Sequence, residues 1–124
     1  MAKLYLLSAF SLSMIRDRGW IHLRLVELSP ATAREALEAA KAKGKEIVNA
    51  IGHPATAKLV GSILGLDLEA NRITVALEDE DEALVFQVME RLPEGKILSE
   101  DELWDLWNRG KLKILHVLYS TKFY

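Results

Sequence analysis

Lys3-Leu4-Tyr5-Leu6-Leu7-Ser8 decides the fold. The run is apolar at odd and even positions alike, so a strand made of it has no face for water, and it is too short for a buried helix. It reads as a strand covered on both sides and too apolar to lie at a sheet edge. Helices must then cover at least one face of its sheet. The segments downstream supply them. Trp20–Leu28 alternates, with Ile21, Leu23 and Leu25 on one face and His22 and Arg24 on the other, as in a half-exposed strand. Ser29-Pro30 opens a helix, because serine accepts from free backbone N–H groups and proline suits the first helical position. Ala33, Ala36, Leu37 and Ala40 form its stripe, and Gly44 ends it. A stripe so rich in alanine packs closely but buries little area, which marks a peripheral or movable element.

A second helix follows Ile51-Gly52-His53-Pro54, with Leu59, Val60, Ile63 and Leu64 as its apolar face and Gly65 as its stop. Arg72–Leu77 predicts the third strand and Ala83–Met89 the fourth. Sequence proximity pairs them as a hairpin, with the five acids Glu78 to Glu82 as a solvated turn. After the tight loop Arg91-Leu92-Pro93-Glu94-Gly95, Ser99 and Glu102 make a capping box for a third helix with Leu103, Leu106 and Trp107 inside. Lys111–Lys122 predicts the last strand. The expected architecture is a single α/β domain over residues 1–124, with a mixed five-stranded sheet flanked by helices.

Composition bounds the function. The chain has 124 residues, 50% hydrophobic and 27% charged, a balance of folded and not disordered proteins. A chain this short often gains buried area by pairing. The absence of cysteine excludes disulfide frameworks, thiolate zinc sites and cysteine nucleophiles. A net charge of −2 gives no global pull towards nucleic acid, so a polyanion would need a local basic pocket. Residues 78–124 hold six Lys/Arg against eleven Asp/Glu, which argues against a long duplex-DNA face there. The N-terminal apolar stretch is interrupted by Ser8, Ser11 and Ser13 and is followed by Arg16 and Arg18 without a small-x-small cleavage site; it reads as a first strand in a cytoplasmic protein. No run approaches 18 apolar residues, so no membrane span is expected. Few Asn and Gln beside many Glu, Lys and Arg tilt towards a thermophilic source.

Of the three histidines, His22 reads as part of a solvated strand face and His116 as a satisfied, partly buried imidazole. They share no ligand spacing with His53, so no metal site is expected. The acidic run lacks the glycine and spacing of a calcium loop. His53 differs, because it stands between Gly52 and Pro54 at a helix start, where free N–H groups and the positive dipole end favour phosphate. A bound anion would favour imidazolium, making His53 a proton donor when the ligand is present. A tolerated cap is the other reading, and the residues alone do not choose. Arg91 leaves a strand directly, and its planar fork suits phosphate. Ser8-Ala9-Phe10-Ser11, at the end of the first strand, offers hydroxyls and backbone amides.

Taken in order, Leu6-Leu7-Ser8-Ala9-Phe10-Ser11, Ala50-Ile51-Gly52-His53-Pro54-Ala55-Thr56, Asn71-Arg72-Ile73, and Gln87 with Glu90-Arg91-Leu92-Pro93-Glu94-Gly95-Lys96-Ile97-Leu98-Ser99 resemble the viral anti-CRISPR ring nucleases and their cellular homologues. The resemblance runs from about Lys3 to about Leu106. It implies a small α/β homodimer that degrades cyclic tetra-adenylate, the second messenger of type III CRISPR defence, without metal or other cofactor. A ribose 2′-hydroxyl attacks its adjacent phosphorus and leaves a 2′,3′-cyclic phosphate. By position, His53 matches the general acid that protonates the departing 5′-oxygen, Arg91 the arginine on the scissile phosphate, and Glu94 the glutamate beside it. Ser11, Thr56, Arg72 and Gln87 match ligand-contacting positions, as does the Ser8–Ser11 stretch, with Ser8 standing where the family often has asparagine. A C₂ pair would present Arg72 and Arg91 twice each around one ring, so a protomer of net −2 could hold a tetra-anion. The alanine-striped helix and the 9–19 loop are the expected lid.

The enzyme reading competes with a non-catalytic protein that sequesters a cyclic oligonucleotide, and with a DNA-binding regulator. Linear products separate the first from the second. A salt-sensitive duplex shift indifferent to cyclic tetra-adenylate would mark the third. Host cytoplasm is the expected location if the gene is viral.

Overall fold

The computed structural model describes residues 2–93 and 95–122. Glu94 therefore lies outside the described residues. The elements are β1 (Lys3–Leu7), a 3₁₀ turn (Leu12–Met14), β2 (His22–Leu28), α1 (Pro30–Ala42), β3 (Glu46–Asn49), α2 (Pro54–Leu64), β4 (Glu82–Val88), α3 (Glu100–Asn108) and β5 (Leu112–Ser120). They build one five-stranded sheet in the order β2-β5-β4-β1-β3. β1 runs parallel to β3 and β4, whereas β5 is antiparallel to both β4 and β2, so the sheet is mixed. β1 lies inside the sheet, as its apolar run demands, with Leu4 to Leu7 buried.

The alternation of strand side chains gives each sheet face its own core. On one face Leu4, Leu6, Leu84, Phe86, Leu112 and Ile114 pack under the helices. On the other, Tyr5, Leu7, Ala83, Val85, Val117 and Tyr119 are covered by Val75 and Leu77 and by the loop carrying Phe10, Met14 and Ile15. The helix starts form as their sequences specify. Ser29 and Thr32 make a reciprocal capping box on α1, and Ser99 and Glu102 make another on α3. Buried Ala33, Leu37 and Ala40 seat α1.

Three expectations need correction. The third strand is Glu46–Asn49, not Arg72–Leu77; only Leu77 of that segment bridges, to Ile15. The alternation of Val75 and Leu77 is real, but it arises because an extended segment lies across a sheet face with one side buried, not because it joins the ladder. The hairpin between Arg72–Leu77 and β4 therefore does not form; β4 pairs with β1 and β5. The acidic run is not wholly solvated either, since Asp81 and Glu82 are buried. Asp81 accepts from the backbone N–H groups of Lys3 (2.7 Å) and Glu78 (2.8 Å). Glu82 begins β4 on the helix face and meets Lys45 Nζ at 2.5 Å and His116 Nε2 at 2.7 Å. Burial opposes its ionisation, but the hydrogen bonds from His116 and Lys45 prevail and hold its carboxyl down to about 2. His116 is thus the satisfied, half-buried imidazole expected, while His22 is exposed.

Candidate active site at the carboxyl end of the parallel strands

β1, β3 and β4 point the same way, so their carboxyl ends open on one side of the molecule, the usual place for a ligand crevice in open α/β sheets. A cavity of about 170 Å³ lies there on the helix face. Ser8 reaches it from the end of β1, His53 and Thr56 from the start of α2, and Leu92, Lys96 and Leu98 from the loop after β4. Phe86, Val88, Leu103 and Leu112 give it an apolar floor. Its described lining residues include no carboxylate.

His53 is the residue preceding α2, with extended backbone (φ −117°, ψ 131°). Its carbonyl accepts from Ala57 N–H at 3.0 Å, closing the first turn, while its ring makes no cap hydrogen bond. Pro54 at the first helical position has no N–H to give, and helix geometry leaves the N–H groups of Ala55 and Thr56 without helical acceptors. The end thus presents an uncommitted imidazole, a hydroxyl and two amides, all able to donate to an anion.

The approach to His53 is fixed by two asparagines that sequence reasoning did not single out as site-building. Asn71 donates from its backbone N–H to the Ile51 carbonyl and from Nδ2 to the Asn49 carbonyl, each at 2.7 Å. Asn49 Nδ2 donates to the Glu69 carbonyl at 2.6 Å. This reciprocal clamp holds residues 69–72 against 49–52 and lays Arg72 over Gly52, where a methyl group would come within 3.1 Å of Arg72 Nε. The signal was the short polar pair itself, Asn71 beside a basic residue, but its partner is twenty-two positions away.

Thus Ser8, His53 and Thr56 share the cavity, while Arg72 lies against Gly52, the residue before His53, and is not among the lining residues. Gln87 sits between Phe86 and Val88, which line the cavity, so strand alternation places it on the other sheet face, with Nε2 3.4 Å from the Val88 carbonyl. Ala9 is exposed; Phe10 packs into the core of that second face. Ser11 caps the 3₁₀ turn, its Oγ accepting from Ser13 N–H at 3.2 Å. Arg91 is exposed and is not among the cavity-lining residues, although its neighbour Leu92 is. Lys96, five positions on, lines the cavity instead. Among the described residues no group of three His, Asp or Glu could hold a metal ion, and no helix is long and apolar enough to cross a membrane.

The loop expected to act as a lid, residues 9–19, is tied to the sheet face opposite the cavity. Tyr119 donates its phenolic hydrogen to Asp17, and Leu77 N–H donates to the Met14 carbonyl at 2.8 Å. α1 does not line the cavity; Arg34 ties it to α2 through the Ile63 carbonyl at 2.8 Å.

Residues 4–109 match the family model described as STIV B116-like. The chain is 48% identical to the uncharacterized protein ORF116 of Acidianus filamentous virus 1 over 71 residues, which are 57% of this chain and 61% of that protein. It is 31% identical to the uncharacterized protein 26 of Sulfolobus islandicus filamentous virus over 99 residues, 80% of this chain and 79% of that one. Among solved structures it is similar to B116 of Sulfolobus turreted icosahedral virus, with a TM-score of 0.72 and 34% identity over 94% of this chain and 98% of that one.

Proposed function

This chain belongs to the STIV B116-like family, whose relatives reported above are viral proteins, and from that premise and the His53 cavity we propose that it is a ring nuclease acting on cyclic tetra-adenylate. It would silence type III CRISPR signalling in the host cytoplasm. One observation carries the reading: a cavity at the carboxyl ends of the parallel strands whose polar lining, Ser8, His53, Thr56 and Lys96, consists of groups that donate hydrogen bonds to an anion, above an apolar floor.

The reaction needs a proton donor and charge stabilisation. The ribose 2′-hydroxyl gives up its proton to solvent water as it attacks the adjacent phosphorus, the P–O5′ bond breaks, and the proton from His53 goes to the departing 5′-oxygen, leaving a 2′,3′-cyclic phosphate and a 5′-hydroxyl. Such general-acid donation contributes about 10²–10⁴ in rate. Donors aimed at the phosphorane oxygens contribute roughly 10²–10³ each, a role for the α2 amides and the Thr56 hydroxyl. Arg91, which the resemblance assigns to the scissile phosphate, directly precedes Leu92 of the cavity lining, and the resemblance sets Glu94 beside that phosphate. Arg72, which packs against Gly52, would take a neighbouring phosphate, as the resemblance implies. The proposed unit is a homodimer, because a four-fold ring of phosphates suits a two-fold axis that doubles each cation.

A single-turnover incubation with cyclic tetra-adenylate in EDTA tests the assignment. Linear products are expected. Tight binding with the ring recovered intact would replace the nuclease by a sequestering protein.

A further inference from the structure

The described lining of the His53 cavity carries one ammonium, that of Lys96, and nothing in the family resemblance gives it a task. Its position is built. Gly95 turns the loop with φ +76°, and Lys96 N–H donates to the Pro93 carbonyl at 3.1 Å. The side chain then borders both the His53 cavity and a smaller one of about 140 Å³ against α3. There Nζ lies 2.8 Å from Glu102 Oε2.

Glu102 cannot follow the lysine. Its Oε1 accepts from Ser99 N–H at 3.1 Å, and its own N–H donates to Ser99 Oγ at 3.2 Å, so the start of α3 fixes it. The pair is open to water, with side-chain exposures of 40% for Lys96 and 42% for Glu102. An ion pair in that setting is weak and readily exchanged. His53 and Lys96 come from different elements, α2 and the loop after β4, and border the same space with no carboxylate among its described lining residues. We infer that Lys96 is a further phosphate-binding residue of this site, which passes from Glu102 to a backbone phosphate of the bound oligonucleotide. The inference rests on reading the cavity as a nucleotide site. The bound phosphate then receives a cation from the wall facing the helix, and Glu102 acts as the lysine's resting partner.

A linear 2′-deoxy tetra-adenylate tests this, because it carries the phosphates but lacks the attacking hydroxyl. Its affinity is measured against salt for the full chain and three variants, and inorganic phosphate is titrated while the His53 imidazole and Lys96 side-chain NMR signals are followed. Lys96→Met should weaken the oligomer about tenfold and flatten the log K against log salt slope by about 0.7, the share of one phosphate on a single strand. Lys96→Arg should restore most of the affinity. Glu102→Gln keeps the cap, since glutamine serves equally in a capping box, and should tighten binding about threefold by removing the competitor. Wild-type affinity or an unchanged slope in Lys96→Met would overturn the proposal, as would weaker binding in Glu102→Gln. It would also fall if neither phosphate nor the oligomer moved the His53 and Lys96 signals. Should the oligomer bind through Lys96 while cyclic tetra-adenylate stays intact, the nuclease reading fails and the phosphate site stands.

Discussion

His53 holds its place through its neighbours' chemistry. Pro54 sets the first helical turn, Gly52 leaves room for Arg72, and the Asn49–Asn71 clamp fixes the chain just before it. The ring itself is spent on none of this, so replacing it should leave the frame intact. His53→Ala is expected to lower the single-turnover cleavage rate by about 10²–10⁴ with little change in affinity. A rate within twofold of wild type would remove His53 as the acid. The second residue-scale prediction concerns Glu82. Its folded carboxyl titrates at about 2 against an ordinary 4.5, so its stabilising effect is complete above about 4.5 and is lost as pH falls towards 2. The size is roughly 3 kcal/mol from that separation. Urea unfolding at pH 6 and pH 2.5 should show this loss in wild type and a smaller one in Glu82→Gln. Equal losses would mean that other carboxylates govern acid unfolding. The two residues differ in how openly the sequence shows them. Gly52-His53-Pro54 is a local signature, complete in three positions. Glu82 hides among consecutive acids because its partners, Lys45 and His116, come from distant parts of the chain.

At the scale of elements, the helix starts were legible because caps are local: Ser29-Pro30, His53-Pro54 and Ser99 with Glu102 each announce a first turn within four residues. Ser99→Ala should cost about 1 kcal/mol, measured as a lowered denaturation midpoint, since it removes the acceptor for Glu102 N–H. β3 was not legible. Glu46-Ile47-Val48-Asn49 is too short to display a period, and only its pairing with β1 makes it a strand. Arg72–Leu77 showed the period of a strand and yet lies across a sheet face, because alternation reports one buried side and says nothing about which backbone groups are paired. Gly61 is the other position that the sequence leaves silent. It sits in the buried face of α2, where an added methyl group would meet the Leu66 carbonyl oxygen at 2.5 Å. Helix propensity alone favours alanine there. The contact should reverse the sign, so Gly61→Ala is expected to destabilise by about 1–3 kcal/mol, read as a fall in Tm. A raised Tm would show that the 65–68 turn gives way freely.

The whole molecule separates its tasks by sheet face and sheet end. Helices cover one face, loops the other, and the cavity opens where three parallel strands finish. The α/β class followed from one apolar segment and three helix starts; the number of strands agreed, but one was misplaced, Arg72–Leu77 standing where Glu46–Asn49 forms the strand. The strand order did not, because long-range pairing leaves no local mark. The candidate site was legible in part: Ser8, His53 and Thr56 line one cavity, whereas Gln87 lies across the sheet and Arg91 outside the cavity lining. A homodimer would let a second copy complete what one protomer leaves open, and Trp20 and Leu25 stand 80% and 60% exposed at the β2 edge. Sedimentation equilibrium should therefore return twice the 13.9 kDa of one chain; a monomer at micromolar concentration would end the two-fold account. The proton transfer itself is tested most directly by mass spectrometry of cyclic tetra-adenylate incubated with the protein and with His53→Ala. The account predicts linear adenylates ending in a 2′,3′-cyclic phosphate from the wild type and, over the time the wild type takes to consume its ring, an intact ring from the variant; an intact ring from both, or the same products at the same rate from both, would contradict it.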